Sequence, residues 1–244
     1  MLKTVFKLLL QNVLGFSNYL FLFAIYTVRR LANNQHEKEF NYFLNNIPEN
    51  GTVLDIGANI GIMTTALARK VKTGQVFSFE PMPDNIKALK RIVGYFKVKN
   101  VKLFTNALGD KMGELTMVLP IMNKMKMQGL SHVKEEGDTS EWNNGREVTV
   151  PVKTLDSIPE LIALKKIDAI KIDVENYEYY VLKGGEQLLR KHMPIIYCEL
   201  WKNEKRQMCF EYLESLGYTT NVLIDDKLVP YKDQEDETNF FFNK

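Results

Sequence analysis

The sequence TVLDIGANIG, residues 52–61, decides the fold of this chain. It begins as a short apolar run that carries Asp55, continues through a turn of small residues, and leads into residues 62–70, IMTTALARK, which are typical of a helix. Gly57 and Gly61 lack a Cβ, so the backbone there can adopt a positive φ and approach a ligand closely. A strand, a tight turn and a helix in this order are typical of a binding crevice at the carboxyl ends of parallel strands.

The polar residues of this turn help to separate two classes of cofactor. The residues that alternate along it are Asp55, Gly57, Asn59 and Gly61. This spacing differs from the G-x-G-x-x-G of a dinucleotide site, and a carboxylate suits the ammonium and sulfonium groups of S-adenosylmethionine better than a pyrophosphate. Glu80 ends the next predicted strand and is suited to accept hydrogen bonds from ribose hydroxyls, a feature that nicotinamide sites share. We therefore expect this turn to bind S-adenosylmethionine. The alternative is that it is an ordinary strand-to-helix connection without a ligand.

The composition indicates one globular domain with additions. The chain has 244 residues, of which 45% are hydrophobic, and this is enough for one sizeable core. The net charge is +2 and acidic residues are spread along the chain, which argues against a nucleic-acid partner. Cys198 and Cys209 form no C-x-x-C pair, so we expect reduced, buried thiols and a cytoplasmic location, with the N-terminus as a segment that could lie at a membrane.

The first thirty residues form a distinct segment. Leu8–Val28 contains no charged residue and is flanked by basic ones, and its length could span a bilayer. Polar and small residues nevertheless fall on one side of it at helical spacing, namely Gln11, Asn12, Gly15 and Asn18. We expect one amphipathic helix that packs on the domain or on a twin subunit, or that lies on a membrane surface. A membrane span is the remaining alternative, and a secretory signal fits poorly.

From residue 52 onward, predicted strands alternate with predicted helices. After the first strand, the expected strands of the sheet are Val76–Phe79, Val101–Thr105, one containing Ile170–Ile172, Pro194–Leu200, Tyr218–Ile224 and Thr238–Phe242. The expected helices are His36–Ile47, Ile62–Lys70, Pro83–Phe96, Glu178–Arg190 and Asn203–Leu216. This order predicts an α/β fold with a seven-stranded, doubly wound sheet that ends in an antiparallel hairpin.

An insertion at about residues 120–146 interrupts this alternation. Two predicted strands, Glu114–Leu119 and Glu147–Val152, pair around it. The insertion contains Met122, Met125, Met127, His132 and Trp142. Such a loop over a binding edge could form a lid or an acceptor pocket, and a mobile surface loop explains the same composition. His132 is the histidine best positioned to act as a base, although a lone loop histidine is usually solvated.

Two further segments follow strands at the predicted binding edge. In NALGD, Asn106 and Ala107 could lie beside an adenine, and a plain turn explains them as well. The segment IKIDVE puts Lys171 and Asp173 on the same face of a central strand. Charged groups there are costly unless they are paired or used at a site. A lysine–carboxylate pair that only holds the sheet together is the alternative to a catalytic role.

Taken in order, six motifs resemble the FkbM family of S-adenosylmethionine-dependent methyltransferases. They are LDIGANIG (54–61), FEP (79–81), NALGD (106–110), TLD (154–156), KIDVE (171–175) and LKGG (182–185). The resemblance covers about residues 52–199 and implies a Rossmann-like class I methyltransferase fold, with O-methylation of sugars, glycans or polyketide-like products. Asn176 stands where the family usually has glycine. Asparagine tolerates left-handed backbone, so the turn can survive, but a different acceptor or a loss of activity would follow if substrate needs the glycine.

The resemblance implies a domain division and roles for individual residues. Residues 1–50 are expected to form an N-terminal helical extension and residues 51–244 the methyltransferase domain. The residues expected to bind cofactor are Asp55, Gly57, Asn59, Gly61, Glu80, Asn106 and Ala107. The residues expected at the reaction are Asp173 and Glu175 as proton acceptors and Lys171, which would hold a carboxylate or stabilise an alkoxide. A divalent cation held by Asp173, Glu199 and Asn203 is an alternative that we do not favour.

Three classes of function therefore remain open. The first is the methyltransferase, whose partner would be a small-molecule or glycan acceptor, with membrane-surface contact or homodimerisation through the N-terminal helix. The second is a non-catalytic cofactor-binding or membrane-associated scaffold, favoured by Asn176 and the amphipathic N-terminus, which would bind without turnover. The third is a dinucleotide-dependent oxidoreductase, which the glycine spacing disfavours and a nicotinamide titration would test.

Overall fold

The fold was established from a computed structural model of the chain. It describes residues 2–31, 37–123, 125–135, 137, 139–233 and 237–244, with side chains described from residue 7 onward. The predicted start of a helix at His36 lies outside these residues.

Helices and strands alternate through most of the described chain. The helices are α1 (Leu2–Leu14), α2 (Phe16–Leu31), α3 (Lys38–Asn45), α4 (Ile62–Lys70), α5 (Pro83–Tyr95), α6 (Pro159–Ile162), α7 (Glu178–Lys183), α8 (Glu186–His192) and α9 (Glu204–Ser215). The strands are β1 (Thr52–Ile56), β2 (Gln75–Phe79), β3 (Val101–Phe104), β4 (Ala107–Leu108), β5 (Gly113–Met122), β6 (Met125–Lys126), β7 (His132–Val133), β8 (Gly145–Lys153), β9 (Ala169–Ile172), β10 (Ile195–Glu199), β11 (Thr219–Ile224), β12 (Lys227–Pro230) and β13 (Asn239–Asn243).

The main sheet has eight strands in the order β12-β11-β13-β10-β9-β1-β2-β3. Strands β10, β9, β1, β2 and β3 are parallel, and β13 joins β10 antiparallel. The predicted count of seven is wrong because Lys227–Pro230 adds a strand through a two-residue hairpin. Asp225 and Asp226 both have positive φ in that turn, as a tight hairpin connection requires.

The central strands of the main sheet are buried on both faces, and most residues of β1, β2, β9 and β10 are buried. Leu54 and Ile170 belong to a core that includes residues of α7, α8 and α9. Val53 and Ala169, which point to the opposite face, belong to a second core with residues of α3 and α4. The sheet is therefore covered on both sides, as predicted for a doubly wound fold.

The insertion forms a smaller sheet beside the main one. Strand β5 pairs antiparallel with β8, as the sequence predicted, with Glu114 opposite Pro151 and Leu119 opposite Arg146. Strand β4 pairs parallel with β8, while β6 and β7 both pair with β5. The described part of the insertion is thus folded onto β5, and this positions His132 near the edge where β1, β2 and β9 end.

The N-terminal segment contains two helices where one amphipathic helix was predicted. Gly15 separates α1 from α2 and has φ of +71°, which interrupts the helical backbone. Three side chains of α2, those of Leu20, Ala24 and Val28, are buried and pack in a cluster with Ala88 of α5. Among the described helices, none has both the length and the apolar character needed to cross a bilayer.

Candidate active site

The turn after β1 brings the backbone into contact with the segment that follows β9. Gly57 has φ of +76°, and a Cβ added there would lie 1.8 Å from the carbonyl oxygen of Asp173. Position 57 therefore needs glycine for conformation and for space. Gly61, with φ of +86°, precedes the first residue of α4. The two glycines thus bring the ends of β1 and β9 together and begin the helix.

A buried ion cluster lies beneath this turn. Asp55 is fully buried and accepts a hydrogen bond from the Thr64 hydroxyl. The Lys171 ammonium lies 3.9 Å from Asp55 Oδ1 and 3.4 Å from Asp173 Oδ2, and it donates a 2.9 Å hydrogen bond to the Gly57 carbonyl. The ammonium therefore joins β1, β9 and the glycine turn.

The pKa shifts of this cluster follow from its burial and its charges. Burial raises the pKa of Asp55, and the Lys171 charge opposes that rise. Burial acts to lower the pKa of Lys171, but the carboxylates of Asp173 and Asp55 together outweigh it, so the pKa of Lys171 is raised. The lysine is therefore cationic at neutral pH.

Glu80 lies at the end of β2 and is held by three hydrogen-bond donors. Its Oε2 accepts from the Asn59 amide nitrogen at 2.8 Å. Its Oε1 accepts from the Met82 amide nitrogen at 2.8 Å and from the Asn85 side chain at 3.2 Å. Burial raises its pKa to about 7, against the effect of these hydrogen bonds. The carboxyl group is thus fixed in orientation and is near its titration point at neutral pH.

An open cleft lies at the carboxyl ends of β1, β2 and β9. Most predicted site residues line it: Gly57, Asn59, Glu80, Asn106, Ala107, Asp173 and Glu175. Three others, Asp55, Gly61 and Lys171, are not among the lining residues. Asp55 and Lys171 belong to the buried ion cluster beneath the cleft and affect the cleft through its charges and hydrogen bonds. Gly61 contributes its backbone conformation at the start of α4.

The polar groups of this cleft fit a ligand with hydrogen-bonding edges. Asn59 Oδ1 is buried and has no hydrogen-bond partner among the described residues. Asn106 is buried, and its side-chain amide donates to the Ala107 carbonyl at 2.8 Å, which stabilises that turn. A buried oxygen without a hydrogen-bond donor costs free energy. A ligand in the cleft could remove that cost by donating a hydrogen bond to Asn59 Oδ1.

Several lining residues were not predicted from the sequence. They are Met82, Asn85, Tyr177, Gln128 and Ser131. Met82 and Asn85 lie just after the FEP motif, so their proximity to Glu80 was a usable signal. Gln128 and Ser131 belong to the insertion. No local sequence pattern predicts that the insertion passes along the cleft.

The segment after β9 carries two carboxyl groups in different surroundings. The Asp173 side chain is 33% exposed and is paired with Lys171. Burial, followed by the charges of Asp173 and Glu199, raises the pKa of Glu175 to about 9. Glu175 is therefore protonated at neutral pH and is a hydrogen-bond donor, whereas the sequence-based hypothesis gave it the role of a base.

The turn at Asn176 keeps a left-handed backbone without glycine. Asn176 has φ of +74°, a conformation that asparagine tolerates. Glu178 Oε1 accepts hydrogen bonds from the backbone nitrogens of Val174 and Asn176 at 3.1 and 3.2 Å. These bonds stabilise the turn in the shape that places Asp173 and Glu175 beside the cleft.

The alternative cation ligands have other engagements. Asn203 Oδ1 accepts from the Arg206 backbone nitrogen at 3.1 Å and caps α9, while Asn203 Nδ2 donates to Asn176 Oδ1 at 2.8 Å. Burial and the Asp173 charge raise the pKa of Glu199. Over the part of the chain that the structure describes, no group of three or more His, Cys, Asp or Glu residues is arranged to hold a metal ion.

His132 is buried in the smaller sheet and is not a solvated loop residue. Its Nδ1 is 2.9 Å from the Leu130 carbonyl oxygen, so this nitrogen carries the proton in the neutral ring. Its ring stacks on Trp142 at a centroid distance of 4.1 Å, and Trp142 lies 5.1 Å from Trp201. The insertion therefore contributes His132 and Trp142 to an aromatic cluster that also contains Trp201, which follows β10.

Comparison with known proteins identifies the family of this fold and site. Residues 55–220 match the methyltransferase FkbM domain. Methyltransferase 1 of Beauveria bassiana is 28% identical over 151 residues, which are 56% of this chain and 59% of that protein. Methyltransferase sdnD of Sordaria araneosa is 26% identical over 183 residues, or 66% of this chain and 70% of that protein.

The crystal structure of methyltransferase FkbM from Methylobacillus flagellatus has the same fold. It superposes with a TM-score of 0.54 and 16% identity, and the match covers 80% of this chain and 44% of that chain. The present chain thus spans less than half of that protein and 59% of the Beauveria relative. With the domain match covering more than half of its length, the chain belongs to the FkbM family of S-adenosylmethionine-dependent methyltransferases.

Proposed function

We propose that this protein transfers a methyl group from S-adenosylmethionine to a hydroxyl oxygen of a sugar, a glycan or a related natural product. The observation that carries the proposal is the composition of the cleft. Glu80, at the end of β2, and Asp173, after β9, line the same space. The first suits the ribose of the cofactor and the second suits an acceptor hydroxyl that must lose a proton.

The residues of the cleft fit the cofactor. Two donors to Oε1 and one to Oε2 orient the Glu80 carboxyl group, which leaves one lone pair of Oε2 for a ribose hydroxyl. Asn59 Oδ1 has no partner within the described chain and would accept a hydrogen bond from the ligand. The buried cluster holds two carboxylates against one ammonium, so when both are ionised its net negative charge favours a cationic ligand above it.

Three side chains, one in β9 and two in the segment after it, have different roles at the acceptor. When bound, S-adenosylmethionine would supply an activated methyl group, and the acceptor hydroxyl would have to lose its proton to a base of the protein. Asp173 is the proposed base, since its side chain is partly exposed at the cleft. Lys171 is a positioning residue that holds Asp173, and Glu175 is a neutral hydrogen-bonding group.

Titration calorimetry tests the cofactor part of this proposal. Wild-type protein is expected to bind S-adenosylmethionine and S-adenosylhomocysteine saturably, and Glu80→Gln is expected to weaken both about tenfold, since it loses the charged acceptor. Glu49→Gln, at an exposed position, is the matched control. Absence of binding by folded wild-type protein would refute the proposed function, and binding of a nicotinamide dinucleotide instead would favour the oxidoreductase.

A transfer assay tests the catalytic part. Radiolabelled S-adenosylmethionine is incubated with a panel of monosaccharides, glycosides and lipid-linked glycans, and methylated product is measured. Asp173→Asn is expected to bind cofactor normally and to lower the rate at least a hundredfold, the scale of losing a general base. Asp226→Asn, in the exposed β11–β12 turn, is the control. Full turnover by Asp173→Asn would remove Asp173 from the reaction, and binding without any turnover would favour the scaffold.

A further inference from the structure

A second cavity adjoins the cleft. It has a volume of about 320 Å³ and lies between the insertion and the segment after β9. Val133, Glu175 and Tyr177 line both this cavity and the cleft. A ligand in the second cavity would therefore meet a ligand in the cleft at these three shared side chains. Its volume is that of an ordinary small-molecule site.

The walls of the second cavity are aromatic on two sides. On the insertion side, Trp142 stacks on His132 with an interplanar angle of 13°. On the other side, the Tyr177 and Tyr180 rings lie 4.6 Å apart. A cavity lined by aromatic rings with polar groups at their edges is suited to a flat or pyranose ring that has both apolar faces and hydroxyls.

One buried polar atom in this wall has no partner. His132 is 2% exposed, and while its Nδ1 is bonded to the Leu130 carbonyl, its Nε2 has no hydrogen-bond partner among the described residues. In this tautomer Nε2 is an acceptor. A buried acceptor without a donor calls for an explanation, and a ligand hydroxyl provides the donor that it lacks.

The charges around the second cavity are balanced. Lys134 is paired with Glu147 at 2.5 Å, and Lys205 is paired with Glu135 at 2.6 Å. Glu175 is protonated at neutral pH because burial raises its pKa to about 9. Each lysine of the lining is thus engaged by a carboxylate, that of Lys134 by Glu147 from outside the lining, so a neutral ligand suits the cavity better than a phosphate or a carboxylate.

We propose that the second cavity binds the methyl acceptor and that this acceptor is a neutral, hydroxylated ring such as an uncharged pyranose. Its ring lies between Trp142 and Tyr180, and one hydroxyl donates a hydrogen bond to His132 Nε2. The proposal rests on the proposed function, since it names the substrate class of that same site. Trp142 stacks on His132 and lines the same cavity, so a ligand whose hydroxyl reaches Nε2 changes the surroundings of the Trp142 ring.

The position of Trp142 in the wall of the second cavity makes binding measurable by fluorescence. The chain has two tryptophans, so Trp201→Phe leaves Trp142 as the sole tryptophan reporter. This variant, saturated with S-adenosylhomocysteine, is titrated with the methyl pyranosides of glucose, mannose, galactose, rhamnose and xylose. Methyl glucuronide and glucose 6-phosphate are the charged counterparts. A saturable change in Trp142 emission is expected with at least one neutral pyranoside, and at least tenfold weaker binding with the charged sugars.

Two substitutions on opposite walls test the contacts. In the Trp201→Phe background, His132→Phe keeps a ring against Trp142 and removes the acceptor nitrogen, so pyranoside affinity is expected to fall about tenfold. His192→Phe, on α8, is the matched control and is expected to change nothing. Tyr180→Leu is expected to weaken binding similarly, whereas Tyr26→Leu, at an exposed position of α2, is not. Tyr180 lies on a different element from His132, so it tests the cavity even if His132→Phe fails to fold.

The outcomes separate this proposal from the proposed function. Failure to bind S-adenosylhomocysteine refutes the function itself. Binding of S-adenosylhomocysteine with no response to any neutral pyranoside overturns the acceptor proposal while leaving the function intact. Tighter binding of the charged sugars overturns the neutral class, and equal affinities in His132→Phe and His192→Phe overturn the contact at Nε2.

Discussion

Gly57 carries a prediction that the structure makes quantitative. In Gly57→Ala the new Cβ would lie 1.8 Å from the Asp173 carbonyl oxygen, where real contacts begin near 3.0 Å, so one backbone segment must retreat by about 1.2 Å. A left-handed non-glycine residue costs about 1–2 kcal/mol, and the forced displacement adds about 1–3 kcal/mol. We expect Gly57→Ala to lower the free energy of unfolding by about 2–5 kcal/mol.

The same displacement should affect cofactor binding. Lys171 bonds both to the Gly57 carbonyl and to Asp173, so moving either segment disturbs the buried cluster beneath the cleft. We expect the affinity for S-adenosylhomocysteine to fall by at least tenfold in any Gly57→Ala protein that folds, because the cleft loses its shape.

Gly217→Ala is a matched control for this experiment. Gly217 has φ of +90°, and nothing lies within 4 Å of a Cβ added there. That variant carries the conformational cost alone, about 1–2 kcal/mol. Urea denaturation gives both free energies of unfolding, and calorimetry gives both affinities. If Gly57→Ala were no less stable than Gly217→Ala and still bound S-adenosylhomocysteine with wild-type affinity, the close approach of β1 to the segment after β9 would be refuted.

Three further predictions concern the buried charges and the N-terminal helices. Lys171→Met should lower the free energy of unfolding by about 3–5 kcal/mol in urea denaturation, since it leaves Asp55 buried without a counter-charge. Glu175 binds a proton more tightly in the folded state than in the unfolded state, so its contribution to stability is full below about pH 4.5 and is lost as pH rises through about 9. Glu175→Gln should therefore flatten the fall in stability measured over that range. Leu20→Ala, at a fully buried position of α2, should cost about 2–5 kcal/mol in the same assay.

Each of these has a counterpart at an exposed site. Lys72→Met, Glu214→Gln and Leu22→Ala should each change stability by less than about 0.5 kcal/mol. If Lys171→Met were as stable as Lys72→Met, the buried ion cluster would make no net contribution to the free energy of unfolding. An unchanged pH slope in Glu175→Gln would place that carboxyl in water, and a loss in Leu20→Ala no larger than in Leu22→Ala would mean that α2 is not packed on α5.

The main lines of the fold were predictable because they depend on local patterns. A mostly apolar run such as β1 is typical of a buried strand. A glycine-rich turn before α4 is typical of a strand-to-helix connection. The eighth strand was missed because its hairpin turn is Asp225-Asp226, which lacks the glycine that usually marks such a turn. The break at Gly15 was missed because an isolated glycine also occurs within helices.

The site was only partly predictable because burial decides the state of its groups. The sequence pattern predicted that Asp55 and Glu80 lie near the ends of strands. It did not predict that Asp55 is buried beneath the cleft while Glu80 lines the cleft wall. In the same way, Asp173 and Glu175 are alike in sequence, yet Glu175 is a protonated donor. His132 was assigned to a solvated loop because its stacking on Trp142 depends on the folded insertion.

Asn176 links the shape of the turn to the choice of acceptor. Its left-handed backbone does what glycine does in the family pattern, so the turn itself gives no reason for lost activity. The side chain is what differs, because it lines the second cavity and accepts a hydrogen bond from Asn203 at the start of α9. A glycine would leave that space empty and that donor unpaired. Compared with a glycine, the Asn176 side chain therefore narrows the second cavity and adds an amide to its wall.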